Sequence, residues 1–352
     1  MIQELRGIQA SYGATFEQDS SGVSVPASFG NDATAMQALQ AGVALVDRSH
    51  WGRIQVSDDD RLRFLHNQST NDFQRLQPGQ GCDTVFVTST ARTIDLATAY
   101  VMEDAVVLLV SPNRRQQLID WLDRYIFFAD KVKLTDVTEE TATFSLMGPG
   151  SDALLEKLGV EGIAGQPYAN HQMRSHQDIE VRVAVGSGLT LPGYTLIVPA
   201  NAAATLWNQL VTIGAVPLGE RCWEQLRIAQ GRPVPDCELT DDYNPLEVGL
   251  WQTISFEKGC YIGQETIARL NTYKGVKQQL WGIRLSASAS PGSVITIGDE
   301  KVGKLTSYTE TAQGSFGLAY IRTKAGGVGL KVKVGETDGE IVDVPFLTHA
   351  PQ

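Results

Sequence analysis

The sequence predicts an α+β protein of several domains that ends in a small antiparallel β module, and three observations carry that prediction. Through the first 230 residues, β-rich runs alternate with stretches whose apolar residues recur at helical spacing. From about Gln279 onward, short alternating strands and glycine turns replace almost all helical periodicity. Length is the third: 352 residues, at roughly 150 per domain, suggest two or three domains.

The elements follow in order. Between Thr34 and Asp47, Met36, Leu39, Val43 and Val46 recur at helical spacing behind the candidate caps Asn31 and Asp32. This predicts a surface helix, with Gly42 as a candidate stop. Arg53 to Ser57 alternates as a strand, and Asp58, Asp59 and Asp60 complement the dipole of a following helix that carries Leu62 and Leu65. Thr84 to Thr88, Thr93 to Val101 and Ala105 to Val110 are β-rich, and Ser111-Pro112 opens a helix with Leu118, Ile119, Leu122, Tyr125 and Ile126 on one face. A second unit repeats this grammar. Strands at Lys131 to Val137 and Thr141 to Met147 lead through Gly148-Pro149-Gly150 into a helix from Ser151 to Leu158. Strands at Ile179 to Val185 and Tyr194 to Val198 then precede a helix around Leu206 to Val211. Glu220 to Gln230 is a further helix closed by Gly231 and Pro233, after which Asp241 to Pro245 is loop-like.

Composition narrows the function classes. With 29 Lys+Arg against 40 Asp+Glu the net charge is −11, which lacks the basic footprint that phosphate backbones require and argues against direct nucleic-acid binding. Hydrophobic residues at 42% and charged residues at 20% suit buried cores rather than disorder. No run of about 18 apolar residues occurs, and the first 22 residues resemble neither an export signal nor a transit peptide, so no membrane partner and a cytoplasmic location are expected. Four cysteines, Cys82, Cys222, Cys237 and Cys260, form no Cys-x-x-Cys pair, and the five histidines show no ligand spacing; a reducing compartment and no metal site are expected. Gly298 to Lys304 imitates the start of a phosphate loop, but Leu305 replaces the required hydroxyl and the segment is predicted as a hairpin.

Chemistry concentrates in Lys258-Gly259-Cys260-Tyr261-Ile262-Gly263-Gln264-Glu265, just ahead of a helix opening at Thr266 to Leu270. An ammonium and a helix N-terminus beside Cys260 would both favour thiolate, predicting a lowered thiol pKa, and Gly259 and Gly263 permit turns that leave sulfur accessible. The alternative for any isolated cysteine is a buried small hydrophobe.

That octet resembles the signature of the YgfZ family, folate-binding proteins related to the T-protein, the aminomethyltransferase of the glycine cleavage system. Further similar stretches are Gly42 to Ile54, Phe64 to Asp72, Leu146 to Pro149, Leu226 to Gly231, Glu238 to Thr240 and Asn244 to Leu250. The resemblance implies three domains around a central channel. These are a discontinuous α+β domain of 1–48 plus 138–275 that binds folate, an α+β domain of 49–137 and a C-terminal β-barrel of 276–352. It implies tetrahydrofolate or a one-carbon derivative as cofactor and a monomeric state. By matching position it places Asn71, Asp95, Arg227 and Trp251 at the folate, with Tyr261, Gln264 and Glu265 from the octet. Each has a bland alternative: Asn71 a cap or turn residue, Asp95 a solvent-facing strand acid, Arg227 a partner of Glu224 three residues back, Trp251 plain core.

Two departures from the T-protein pattern matter. Its Gly-Tyr-Thr-Gly-Glu segment, whose glutamate holds the pterin, stands here as Gly188-Leu189-Thr190-Leu191-Pro192. Where it has adjacent acids, this chain has Asp95 followed by Leu96, which weakens the stabilisation of an aminomethyl iminium. The resemblance therefore implies a folate-dependent accessory protein that supports iron–sulfur cluster assembly or repair, with Cys260 and Lys258 at its reactive centre. Its partners would be client iron–sulfur proteins or cluster-assembly factors, and any effect on tRNA modification would be indirect. The alternative is a one-carbon transferase in which Asp95 orients the amine.

Overall fold

In the computed structural model, which describes residues 2–349, the chain is an α+β protein with antiparallel sheets and a closed six-stranded barrel. It divides into two compact units. One comprises Met1–Phe64, Phe73–Asp83 and Ala97–Trp223; the other Leu65–Asp72, Thr84–Leu96 and Glu224–Gln352.

In the first unit a six-stranded sheet runs in the order His171–His176, Ile179–Val185, Gly193–Pro199, Thr141–Met147, Ala44–Asp47, Val216–Leu218, antiparallel except for the last pair. Alternation along Thr141–Met147 and Gly193–Pro199 turns Ala142, Phe144, Leu146, Leu196 and Val198 into one core. The helix Ala203–Thr212 adds Trp207, fully buried, which stacks on Phe29 at 5.9 Å and meets Phe144 at 5.3 Å.

A five-stranded sheet has the order Gly81–Val87, Thr93–Val101, Ala105–Val110, Gly52–Ser57, Lys133–Asp136. Every residue of Thr93–Val101 and Ala105–Val110 is buried, which explains why these strands read as continuous apolar runs rather than as alternating ones. Asp95 lies within the first of them.

The barrel of the second unit closes in the order Gln278–Leu285, Gly314–Arg322, Glu300–Thr311, Val294–Ile297, Lys331–Val334, Thr337–Val342, the last strand pairing back on the first. Ile283, Ile295, Val302, Leu305, Ile321 and Ile341 form part of its core. The false phosphate loop is the hairpin Val294–Ile297 and Glu300–Thr311, as expected. Gly303 is needed there for contact: a Cβ on it would lie 2.2 Å from the Tyr320 carbonyl oxygen.

Several local expectations change. The helix expected over 34–47 spans Asp32–Ala41, and Ala44–Asp47 is a strand. Val43 and Val46 stand at helical spacing, but every residue of Ala44–Asp47 is buried and the segment pairs on both sides, so a strand wins over so short a run. The expected loop at 241–245 leads directly into a short helix, Pro245–Val248, with Asn244 and Glu247 forming a capping box. Helix Ile2–Ser11 and strand His171–His176 were not anticipated; the strand carries too much polar residue for a simple apolar alternation.

Two histidines of the first unit are buried and hard to protonate. Burial pushes His50 and His171 from the ordinary 6.5 to about 4, and His171 Nδ1 lies 2.9 Å from the Arg182 guanidinium, which disfavours a second positive charge. Unfolded histidine takes a proton near 6.5, whereas these resist until about 4, so their contribution is intact above 6.5 and is lost as pH falls towards 4. Urea unfolding between those pH values should show a loss on the order of 1–3 kcal/mol per histidine. His171→Gln should flatten the slope; an unchanged slope would remove His171 from this account.

Candidate functional site

The octet and the residues after helix Arg61–Gln68 form one polar knot within the second unit. Lys258 is 6% exposed, and its ammonium donates to the carbonyl oxygens of His66, Ser69 and Asn71, the last two at 2.7 Å. These oxygens lie at the C-terminal end of the helix, where a cation complements the dipole. The Ile262 amide donates to the Asn67 carbonyl at 3.0 Å, and the Ser255 amide to the Thr70 carbonyl at 3.0 Å. The Thr70 hydroxyl donates to the Thr253 carbonyl at 2.8 Å. Residues 253–262 are thereby laced to residues 66–71.

The same segment alternates inward and outward. Tyr261 is buried with Ala91, Leu246, Ile254 and Ile267; its ring lies 4.5 Å from the Lys258 ammonium, and burial pushes its phenol up to about 12. Gly263 has φ +82°, and a Cβ there would come within 2.9 Å of Val87 and 3.0 Å of the Thr88 carbonyl oxygen. Helix Gln264–Thr272 starts immediately after it, with Gln264 half-buried and Glu265 exposed in the first turn. Cys260 is exposed, and all four cysteines are free thiols.

The remaining expected site residues are placed as follows. Asn71 is half-buried; its side-chain oxygen accepts from the Asp72 amide at 2.8 Å, a turn role, and its carbonyl receives Lys258. Asp95 is fully buried and accepts from the Leu96 amide at 2.9 Å; it is not solvent-facing. Arg227 is 2% exposed and engaged by Glu224, by Glu238 at 3.1 Å and by the Ser307 hydroxyl at 3.0 Å. A ligand anion would have to displace one of these acids. Trp251 donates from Nε1 to the Leu246 carbonyl at 3.3 Å, 5.7 Å from the Phe256 ring. The structure thus gathers Lys258, Tyr261 and Asn71 in the knot and gives Arg227 a separate ion-pair cluster.

Sequence reasoning missed a cationic pocket. Arg92, Arg269 and Lys277 line a cavity of about 230 Å³ with Asn244, Glu247 and Thr266. Glu247 is the acid among these lining residues; burial raises its pKa, while the Asn244 amide and the charges of Arg92 and Lys277 oppose the shift. The three cations are dispersed in sequence; only Arg269 stood near a motif, five residues after Gln264. His66 was also passed over. Among the described residues no group of three or more His, Cys, Asp and Glu is assembled as a metal would require, and no helix is long and apolar enough to cross a membrane.

The sequence pattern described as the GCVT N-terminal domain matches residues 5–258. A chloroplastic protein of Arabidopsis thaliana, provisionally named a transferase, is 51% identical over 329 residues, covering 92% of this chain and 76% of that protein. An aminomethyltransferase of Geobacillus kaustophilus is 27% identical over 344 residues, covering 94% of each. The crystal structure of the glycine cleavage system aminomethyltransferase T from Bartonella henselae superposes with a TM-score of 0.86 at 18% identity, covering 98% of this chain and 97% of that one, a shared fold.

The knot predicts a cost for removing its centre. Lys258→Met takes a charged donor from three carbonyl oxygens and should destabilise the second unit by about 3 kcal/mol. Lys258→Arg should not restore it, because a planar fork cannot reproduce three ammonium directions. Guanidinium unfolding of both variants checks this; a wild-type midpoint for Lys258→Met would show that the knot contributes little.

Proposed function

The chain belongs to the family of the GCVT N-terminal domain, and from that premise we propose that it is a YgfZ-type folate-binding accessory protein supporting iron–sulfur cluster assembly or repair in other enzymes. The observation that carries this reading is the exposed Cys260 thiol on a segment fixed from beneath by buried Lys258 and Tyr261. A fixed and accessible sulfur suits attack on a client sulfur atom or transient ligation of iron, since thiolate is the soft ligand of such clusters. Client iron–sulfur proteins or cluster-assembly factors are the partners, the protein acts as a monomer in a reducing compartment, and any effect on tRNA modification runs through those clients. The net charge of −11 supports that indirectness.

Tetrahydrofolate or a one-carbon derivative is the proposed cofactor, as the aminomethyltransferase relatives suggest. The residues present fit its anionic tail: Arg92, Arg269 and Lys277 converge on one cavity, whereas Arg227 is already neutralised by its own acids. When bound, the folate would supply a one-carbon carrier. The fit to the pterin ring differs from the T-protein pattern, because the segment Gly188 to Pro192 offers no carboxylate.

Cys260→Ser tests the reading. The variant should bind tetrahydrofolate with wild-type affinity in calorimetric titration, yet fail to restore cluster-enzyme activity in cells lacking the protein. Full restoration would sink the assignment of Cys260.

A one-carbon transferase is the second reading, favoured by one observation: Asp95 is a buried carboxylate in the sheet, where low polarity would strengthen its pull on an amine brought against it. It predicts transfer of a one-carbon unit from a methylated amine or a lipoyl-bound aminomethyl group to tetrahydrofolate, falling at least about a hundredfold in Asp95→Asn. Absence of transfer by the wild type across such donors counts against it.

A further inference from the structure

The cationic pocket does not end at its own walls. Its lining residue Lys277 also lines a second cavity of about 690 Å³, together with Val276, Gln278, Arg322, Thr323 and Lys324. The backbone sets this adjacency. The Thr323 amide donates to the Lys277 carbonyl at 2.9 Å, its hydroxyl donates to the Val276 carbonyl at 2.9 Å, and Gln278 pairs with Arg322 where two barrel strands meet. Arg92, Arg269, Lys277, Arg322 and Lys324 are thereby strung along two adjoining cavities of the second unit. Their neutralisation is slight. Among the described residues Arg269 and Lys277 have no ion pair, and Arg92 gives one N–H to the Asp242 carbonyl at 2.8 Å. Arg322 and Lys324 share a single acid, Glu300, at 3.9 and 3.2 Å. Glu247 is already engaged by the Asn244 amide at 3.2 Å. In a chain of net charge −11, such a run of cations facing so few acids makes a local positive field that attracts a polyanion.

We infer that this track holds the γ-linked polyglutamate tail of a folate, so that the protein selects polyglutamylated folates over the monoglutamate. The inference rests on the folate reading above and names the folate species that reading leaves open. At about 30 Å³ of liquid volume per water, a cavity of about 230 Å³ matches about eight non-hydrogen atoms. That is close to one glutamyl residue, and too little for the pterin and aminobenzoyl rings together. A monoglutamate tail brings two carboxylates, which the first cavity can pair. Each further glutamyl residue adds one carboxylate and carries the chain past Lys277 towards Arg322 and Lys324. Arg269, Lys277, Arg322 and Lys324 are exposed, so the longer tail lies along an open surface and needs no threading. A nucleic acid suits the track less well, because no aromatic side chain lines either cavity and bases have nothing to stack on.

Calorimetric titration with the mono-, tri- and hexaglutamate forms of tetrahydrofolate tests this, in wild type and in the double variant Arg322→Ser with Lys324→Ser. At low salt the hexaglutamate should bind wild type about tenfold or more tightly than the monoglutamate, as several modest exposed pairs act together. The gain should shrink in about 0.5 M salt, because exposed charges are screened. The double variant should bind the monoglutamate as wild type does, which also shows that it is folded, and should lose most of the gain. Equal affinity for all three tail lengths would overturn the track while leaving the folate reading in place. A gain that survives intact in the double variant would overturn it too. Absence of binding at every tail length would remove the folate reading and this inference with it. A short single-stranded oligonucleotide that binds more tightly than the hexaglutamate would assign the track to nucleic acid and overturn the inference.

Discussion

A buried ammonium is tolerable only where oxygen atoms replace its water, and Lys258 finds three of them on main chain 187 to 192 residues earlier. Main-chain oxygens are the informative choice. A carboxylate partner could sit on any side chain and drift with it, whereas carbonyls at a helix end fix the backbone of both segments at once. Gly259, Cys260 and Tyr261 are therefore held at an address set by the helix terminus. Tyr261 completes the arrangement by presenting a ring to the same ammonium and a buried body to the core. The reactive-site reading of Cys260 depends on this anchor.

The anchor also changes what Lys258 does for the thiol. A lysine two residues from a cysteine suggests direct charge stabilisation of thiolate. Here the ammonium spends its hydrogen bonds on carbonyl oxygens, so its part is to place the segment and to depress the basicity of His66. Similarly, the helix that follows begins at Gln264, four residues beyond Cys260, beyond the first-turn range where a helix dipole acts strongly.

What was legible in the sequence divides along this line. The α+β class and the antiparallel β tail were readable because strand alternation, helical spacing and glycine turns are local, whereas closure of that tail into a barrel was implied only by the family resemblance. The octet was readable because its residues are consecutive. The pairing of Arg227 with Glu224 was available from helical spacing, but Glu238 and Ser307, which bury that guanidinium, come from distant segments. The cationic pocket needed Arg92 brought to Arg269 and Lys277, and the role of Lys258 needed the end of another helix. Asp95 shows the limit from the other side: its strand looked like one where a lone acid faces solvent, yet burial on both faces of the sheet leaves it enclosed.

Selectivity among the four thiols then follows from the fold. Burial pushes Cys222 up to about 11, with Asp32 adding to the shift, and burial likewise raises Cys237, where Glu238 works against thiolate. Neither presents much thiolate at neutral pH. Cys82 is only half-exposed, in a strand that begins at Gly81. Cys260 alone of the four is exposed, and it alone stands on the segment that Lys258 fixes. The surrounding protein quiets two of the four thiols by desolvation and leaves Cys82 half-covered, so Cys260 is the sulfur that a reagent or client meeting the folded chain reaches most freely.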